Sequence, residues 1–185
     1  DDLPTPVDRP PERRDVIWVG QIKRIKQPLL FVDLARNFPS HRFLLIGGDE
    51  AAEKEIEGSL AAAIRDVPNL IRVGYVPHQQ IFAYYLRAAL LVNTSVSEGF
   101  PNTFLEAWLS GTPVVSLQVD PDGVIQRHGL GFHSESFSRM VEDVRTLLEN
   151  PALRQTMGDR CRDYVLRHHT TDQAIARFEG IIHDS

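Results

Sequence analysis

Cysteine is nearly absent from this chain: Cys161 is the only one in 185 residues. A lone thiol cannot form a disulfide within the chain, and its scarcity suits a reducing compartment. Its place in a helical pattern predicts inert packing. Metal chemistry lacks its usual spacing as well. The seven histidines are scattered, and His168 and His169, as helix neighbours, would point about 100° apart and cannot share an ion. Positive charge is in deficit, with a net charge of −5, so no bulk attraction to nucleic acid is expected. No apolar stretch approaches the roughly 20 residues of a transmembrane segment. No signal peptide is visible, and the expected location is cytoplasmic. Gly-x-Ser-x-Gly, Walker and Cys-x-x-Cys motifs do not occur, nor does an internal repeat. What remains is a globular composition, 42% hydrophobic and 24% charged, long enough for one domain with a full core.

The first 14 residues hold four of the 12 prolines, among aspartates and arginines. Such a run forms neither a helix nor a central strand. Residues 1–14 read as a linker, the tail of a hinge from a preceding domain, or as a disordered end. The chain starts at Asp1 rather than Met, which fits a fragment. Residues 15–185 read as one domain. Residues 15–20 are a short apolar run ending in Gly20, a buried strand. Pro28 suits the first turn of a helix over 28–37, with Leu30, Leu34 and Phe38 at helical spacing. A second strand over 42–47 runs into Gly47-Gly48, and Asp49 can cap a helix over 51–65. A third strand follows over 69–74. The helix over 78–87 places Ile81, Tyr84 and Tyr85 at core spacing, and simple packing is the expected role of both tyrosines. Strands over 88–93 and 112–118 come next, with a short last strand inside 128–132. Helices are expected over 137–149, capped by Ser134 or Ser136, over 152–168 and over 171–183. The last of these has an apolar stripe, Ile175, Phe178, Ile181 and Ile182, that would pack on its own domain or dock on another. The βα alternation predicts a Rossmann-like three-layer α/β/α sandwich with a parallel sheet of about six strands.

The chemistry concentrates where the fourth strand ends. Ser97-Glu98-Gly99-Phe100-Pro101-Asn102-Thr103-Phe104-Leu105-Glu106-Ala107 turns from a buried strand through a loop into a helix. In an open α/β sheet such a junction lies where ligands bind. The first backbone amides of the helix have no partner inside it and carry partial positive charge, which suits phosphate oxygens. Two carboxylates, Glu98 and Glu106, bracket the place. A carboxylate repels phosphate and accepts hydrogen bonds from hydroxyls. Anion site and acids together point to a ligand with phosphate and polyol parts, a nucleotide sugar. Thr103-x-x-Glu106 is also a capping box, which needs no ligand.

Glu98 and Glu106 are separated by seven residues, and the run from Ser97 through Gly111-Thr112-Pro113-Val114-Val115 resembles the E-x7-E signature of GT-B retaining glycosyltransferases, family 4 in particular. The resemblance covers residues 16–169 and implies the second, donor-binding half of such an enzyme. It implies that Glu106 binds the donor ribose, that Glu98 binds sugar hydroxyls, that backbone amides of the stretch Gly99-Phe100-Pro101-Asn102-Thr103 meet the sugar and diphosphate, and that the helix amides from Asn102 to Phe104 stabilise the diphosphate. After Gly20 the family places an arginine and, five residues later, a lysine, both on the diphosphate. Lys26 matches the lysine, whereas Gln21 stands at the arginine's position, one charge short, and Arg24 is the nearest substitute. A solvated basic loop is the alternative role of Lys23 and Lys26. Tyr75 and Val76, after the third strand, are the candidates for holding the base.

In the family the leaving phosphate helps to activate the acceptor hydroxyl, so the protein's task is electrostatic stabilisation of the diphosphate. Lys26 and Glu98 are the candidate catalytic residues. No tightly bound cofactor and no metal are implied; the donor substrate is a nucleotide diphosphate sugar, UDP- or GDP-linked. An acceptor glycan or lipid-linked glycan would be held by a missing N-terminal domain, in a full-length protein that is cytoplasmic or peripheral at the cytoplasmic membrane face. Asp120-Pro121-Asp122-Gly123 is written like a metal-binding D-x-D, but it is also what a tight turn demands. Two rival functions share the fold: a nucleotide-sugar epimerase or phosphorylase, and a catalytically inactive interaction module, which Gln21 favours.

Overall fold

The structure, a computed structural model, describes residues 13–48 and 53–169. Asp49, the proposed helix cap, and the helix expected over 171–183 lie outside the described residues. Six strands form one parallel sheet: β1 (Asp15–Val19), β2 (Phe43–Ile46), β3 (Leu70–Gly74), β4 (Ala88–Asn93), β5 (Val114–Ser116) and β6 (Gly131–His133). Their order is β3-β2-β1-β4-β5-β6. The chain builds outward from β1 to one edge, returns to insert β4 beside β1, and then builds to the other edge. This places the topological switch point between β1 and β4.

Among the described residues, seven α-helices cover the two faces: α1 (Pro28–Arg36), α2 (Lys54–Ile64), α3 (His78–Arg87), α4 (Asn102–Leu109), α5 (Val124–His128), α6 (Phe137–Glu149) and α7 (Pro151–His168). The strands are apolar on both sides because both faces are covered. Val16 and Trp18 of β1 point into a core shared with Phe31 and Leu34 of α1, Leu60 of α2 and Met140 and Val144 of α6. Ile17 points the other way, into a core with Tyr85 of α3, Phe104 and Trp108 of α4 and Val165 of α7. The helices after β1 and after β4 therefore leave on opposite faces, and in such a sheet the crevice between their loops is where ligands bind. The expected three-layer α/β/α sandwich with a six-stranded parallel sheet is the observed fold.

Two glycines hold the strand ends together. A Cβ on Gly47 would lie 1.8 Å from the Gly20 carbonyl oxygen, and one on Gly131 would lie 1.8 Å from that of Val114. Both residues have positive φ, a region open to glycine at little cost. Helix α5, absent from the sequence reading, owes its start to Asp120. One carboxylate oxygen of Asp120 accepts from the Ile125 amide at 2.7 Å and the other from the Gln126 amide at 3.4 Å. Residues 121–123 form a short 3-10 turn. The Asp-Pro-Asp-Gly run is thus a turn whose first aspartate is committed to backbone amides. Ser136, rather than Ser134, caps α6. Cys161 is buried and donates to the Leu130 carbonyl at 3.4 Å. Burial pushes its thiol far above the ordinary range, in line with packing rather than reactivity.

Candidate functional site

The crevice at the switch point is lined by the loop after β1 and the loop after β4. The first runs from Gly20 through an exposed Gln21 to a 3-10 turn at Arg24–Lys26. It is anchored on the second loop. The Thr94 hydroxyl donates to the Lys26 carbonyl at 2.7 Å and accepts from the Trp18 indole at 2.9 Å, while the Val96 amide donates to the Ile25 carbonyl at 2.9 Å. Gln27 follows in the left-handed region (φ 47°) and starts α1. These bonds fix where the Lys26 side chain emerges.

Lys26 Nζ meets Glu98 Oε2 at 2.6 Å across the crevice, with side-chain exposures of 24% and 15%. Glu98 Oε1 accepts from the Asn93 amide at 2.9 Å. Asn93, the last residue of β4, is itself held: its Oδ1 accepts from the Ser95 amide at 3.1 Å and from the Ser116 hydroxyl at 3.5 Å. Burial raises the Glu98 pKa, but hydrogen bonds from Lys26, Ser95 and Asn93, together with the Lys26 charge, outweigh it, so the carboxyl titrates below its ordinary value. Glu98 is held ionised, in a site that a polar ligand can enter.

Glu106 belongs to a second group, between α3 and α4. Its Oε1 meets His78 Nε2 at 3.2 Å, and its Oε2 accepts from the Tyr85 hydroxyl at 2.9 Å. The structure corrects two expectations here. Helix α4 starts at Asn102 with Pro101 as its N-cap, and no side chain caps it. Thr103 therefore lies inside the first turn, and there is no capping box: the Glu106 carboxylate faces α3. Tyr85 does more than pack. Its ring is fully buried, as the core spacing predicted, yet its hydroxyl reaches Glu106. Asn102 and Glu106 are four residues apart and share a helix face, so this residue lies one turn along α4 from its uncapped start.

The remaining candidates fall around these two groups. Gly99 is open, with no heavy atom within 4 Å of a Cβ built there. Phe100 is 40% exposed, its ring edge-on to the buried Trp108 at 6.1 Å. Pro101 and Phe104 are buried, and Thr103 is partly so. Tyr75 is 68% exposed just beyond β3, and Val76 packs against the core beneath α3 and α4. Arg24, the substitute for the missing arginine, pairs with Glu55 at 3.0 Å, and its backbone amide donates to Glu53 at 3.2 Å. Asn93, Ser95, His78 and Tyr85 escaped the sequence reading. Only the Asn93 position, at the end of an apolar run, carried a local signal.

Known proteins resemble this chain in sequence and in fold. Residues 13–150 match the sequence family described as glycosyl transferases group 1. Over 188 residues the chain is 26% identical to D-inositol 3-phosphate glycosyltransferase of Mycolicibacterium smegmatis, covering 95% of this chain and 42% of that protein. The C-terminal domain of a glycosyl transferase group 1 family protein (LpcC) from Francisella tularensis superposes with a TM-score of 0.66 at 21% identity, over 87% of this chain and 88% of that one. Anabaena Alr3699/HepE, solved in complex with UDP and glucose, superposes with a TM-score of 0.74 at 18% identity, over 91% of this chain and 48% of that one. The chain thus spans less than half the length of the M. smegmatis protein. Sequence and fold lead to one conclusion: this chain belongs to the glycosyl transferases of group 1, with the fold of the C-terminal domain of a GT-B enzyme.

Proposed function

We propose that this chain is the donor-binding domain of a retaining glycosyltransferase that moves a sugar from a nucleoside diphosphate sugar to an acceptor hydroxyl. The observation that carries the reading is the Lys26–Glu98 pair spanning the β1/β4 crevice, next to a helix start that no side chain caps. An ammonium and the start of a helix that no side chain caps suit a diphosphate, and carboxylates in the same loop and helix suit hydroxyls. Lys26 and the amides of Asn102 and Thr103 take the diphosphate, with Gly20 and Gln21 beside it, while the Phe104 amide, expected to join them, donates to the Pro101 carbonyl at 3.0 Å. Glu98 takes the sugar hydroxyls, with Gly99 and Phe100 over the ring. Glu106 takes the ribose, and Tyr75 and Val76 the base. When the diphosphate binds, it takes over the Lys26 ammonium, and Glu98 turns its acceptors to the sugar. Lys26 and the helix amides then stabilise the charge that develops on the leaving diphosphate. Acceptor binding, to a glycan or lipid-linked glycan, falls to a preceding domain of a longer protein working at the cytoplasmic membrane face.

Because Alr3699/HepE was solved with UDP, UDP is the first nucleotide to test and GDP the second. Either should raise the melting temperature by mass action. By calorimetry, Glu106→Gln should weaken the nucleotide that binds by about tenfold, as expected for a lost charge-assisted hydrogen bond. Unchanged affinity would overturn the ribose role. One observation favours a second reading. Gln21 leaves the diphosphate one cation short, and the Arg24 guanidinium is paired with Glu55. A domain that keeps the fold but serves only for interaction would show no melting shift with either nucleotide or with its sugar conjugates.

A further inference from the structure

Glu106 is fixed from two sides. Oε2 accepts from the hydroxyl of a buried tyrosine and Oε1 meets an exposed histidine. A carboxylate oxygen can accept more than one hydrogen bond. With one bond made at each oxygen, Glu106 keeps acceptor capacity on both. A carboxylate held at both oxygens, with an acceptor left on each, suits a pair of neighbouring hydroxyls. The Tyr85 end of this arrangement is rigid. The ring lies in the core with no exposure, and the Tyr85 carbonyl accepts from the Thr112 hydroxyl at 2.8 Å, tying α3 to the segment that leads into β5. Burial, then the Glu106 charge and hydrogen bond, push the phenol well above its ordinary pKa, so the hydroxyl remains a donor.

We infer that Tyr85 is a positioning residue that holds the Glu106 carboxylate in the orientation needed to grip both ribose hydroxyls, and that it thereby sets the preference for ribonucleotides over deoxyribonucleotides. The inference rests on the ribose reading of Glu106. Tyr85 touches no ligand in this account and acts only through Glu106.

The test compares UDP with 2′-deoxy-UDP, and GDP with 2′-deoxy-GDP, by calorimetry on the full chain. The unmodified chain should prefer the ribo form by about tenfold, the worth of one charge-assisted hydrogen bond. Tyr85→Phe removes only the hydroxyl. It should reduce that preference to about twofold and leave affinity for the deoxy form unchanged. Glu106→Asp keeps the charge at a half-buried position, but its shorter side chain draws the carboxylate away from Tyr85. It should lose the preference as well, and it serves as the test even if the core change at Tyr85 impairs folding. In the double variant Tyr85→Phe/Glu106→Gln the preference should equal that of Glu106→Gln alone. A preference retained in Tyr85→Phe or Glu106→Asp but lost in Glu106→Gln overturns the positioning role and leaves the ribose reading intact. A preference retained in Glu106→Gln overturns both. Equal losses for ribo and deoxy forms in Tyr85→Phe mark a structural effect and overturn the positioning role.

Discussion

Two acid–base pairs, each with a closest contact of 2.6 Å, sit at opposite ends of the same sheet. At the amino end, Arg42 grips Asp15 with two hydrogen bonds, Nε to Oδ1 at 2.6 Å and Nη2 to Oδ2 at 2.8 Å. Asp15 is the buried first residue of β1, and Arg42 immediately precedes β2, whose first residue pairs with Val16. The pair closes two neighbouring strands. Its hydrogen bond and charge raise the Arg42 pKa against the opposing effect of burial. Arg13 works at the same end, donating to the carbonyls of Ser110 and Gly111 beyond α4. At the carboxyl end, Lys26 meets Glu98 through one contact, from two loops. A guanidinium fork is planar, two-pronged and hard to displace, whereas an ammonium is a rotatable point charge. The same attraction thus locks strands at one end and leaves an exchangeable charge at the other.

That contrast can be broken or sharpened by experiment. The largest effect should come from Arg42→Ala. Removing one partner of a buried pair costs about 3–5 kcal/mol; because Arg42 is half exposed, about 2 kcal/mol is expected after allowance for solvent screening. Urea unfolding measures it, and nucleotide affinity should not change; a parallel loss of affinity would show that the two ends are not independent. Lys26→Ala should do the reverse. It should lose about tenfold in nucleoside diphosphate affinity with less than about 1 kcal/mol of stability, and the affinity difference should shrink as salt screens it. A salt-insensitive loss would remove Lys26 from the phosphates.

Glu98→Gln should act more subtly. It frees Lys26 from its resting partner, so nucleoside diphosphate affinity should rise by about threefold while the extra affinity for the sugar conjugate falls. A drop for both ligands would mean that Glu98 and phosphate do not compete for Lys26. The smallest effect is on acid stability. The Glu98 pKa is lowered in the folded state, so its contribution is complete above the ordinary carboxylate range and is lost as pH falls through the folded value. The stability gap between the parent chain and Glu98→Gln should therefore close on acidification, followed by melting curves from about pH 7 to about pH 3. A gap that widens in acid would contradict the sign.

Much of the architecture was legible because the strands are apolar runs, most of them with a Gly or Pro at one end. β4, α3 and α6 span the residues that the pattern indicated. The failures are local and physical. α5 has five residues, too few to show a helical period, and its start is set by a side chain four residues upstream. α4 starts two residues before its first apolar residue, Phe104, because Pro101 can end the loop and take the N-cap position without an apolar residue at Asn102 or Thr103. Tyr85 was read as a packing residue because periodicity reports which way a ring faces and says nothing about where its hydroxyl ends.

By itself the sequence determined which segments are strands and helices, since burial on two faces demands apolar runs and their breaks demand glycine or proline. It also set the E-x7-E spacing along the chain. Only the tertiary structure decided which charges meet. Inserting β4 beside β1 brings Lys26 and Glu98 into contact from loops far apart in the chain, and packing α3 against α4 gives Glu106 to Tyr85 and His78. Linear spacing cannot encode those meetings, because they depend on the order in which the strands are laid side by side.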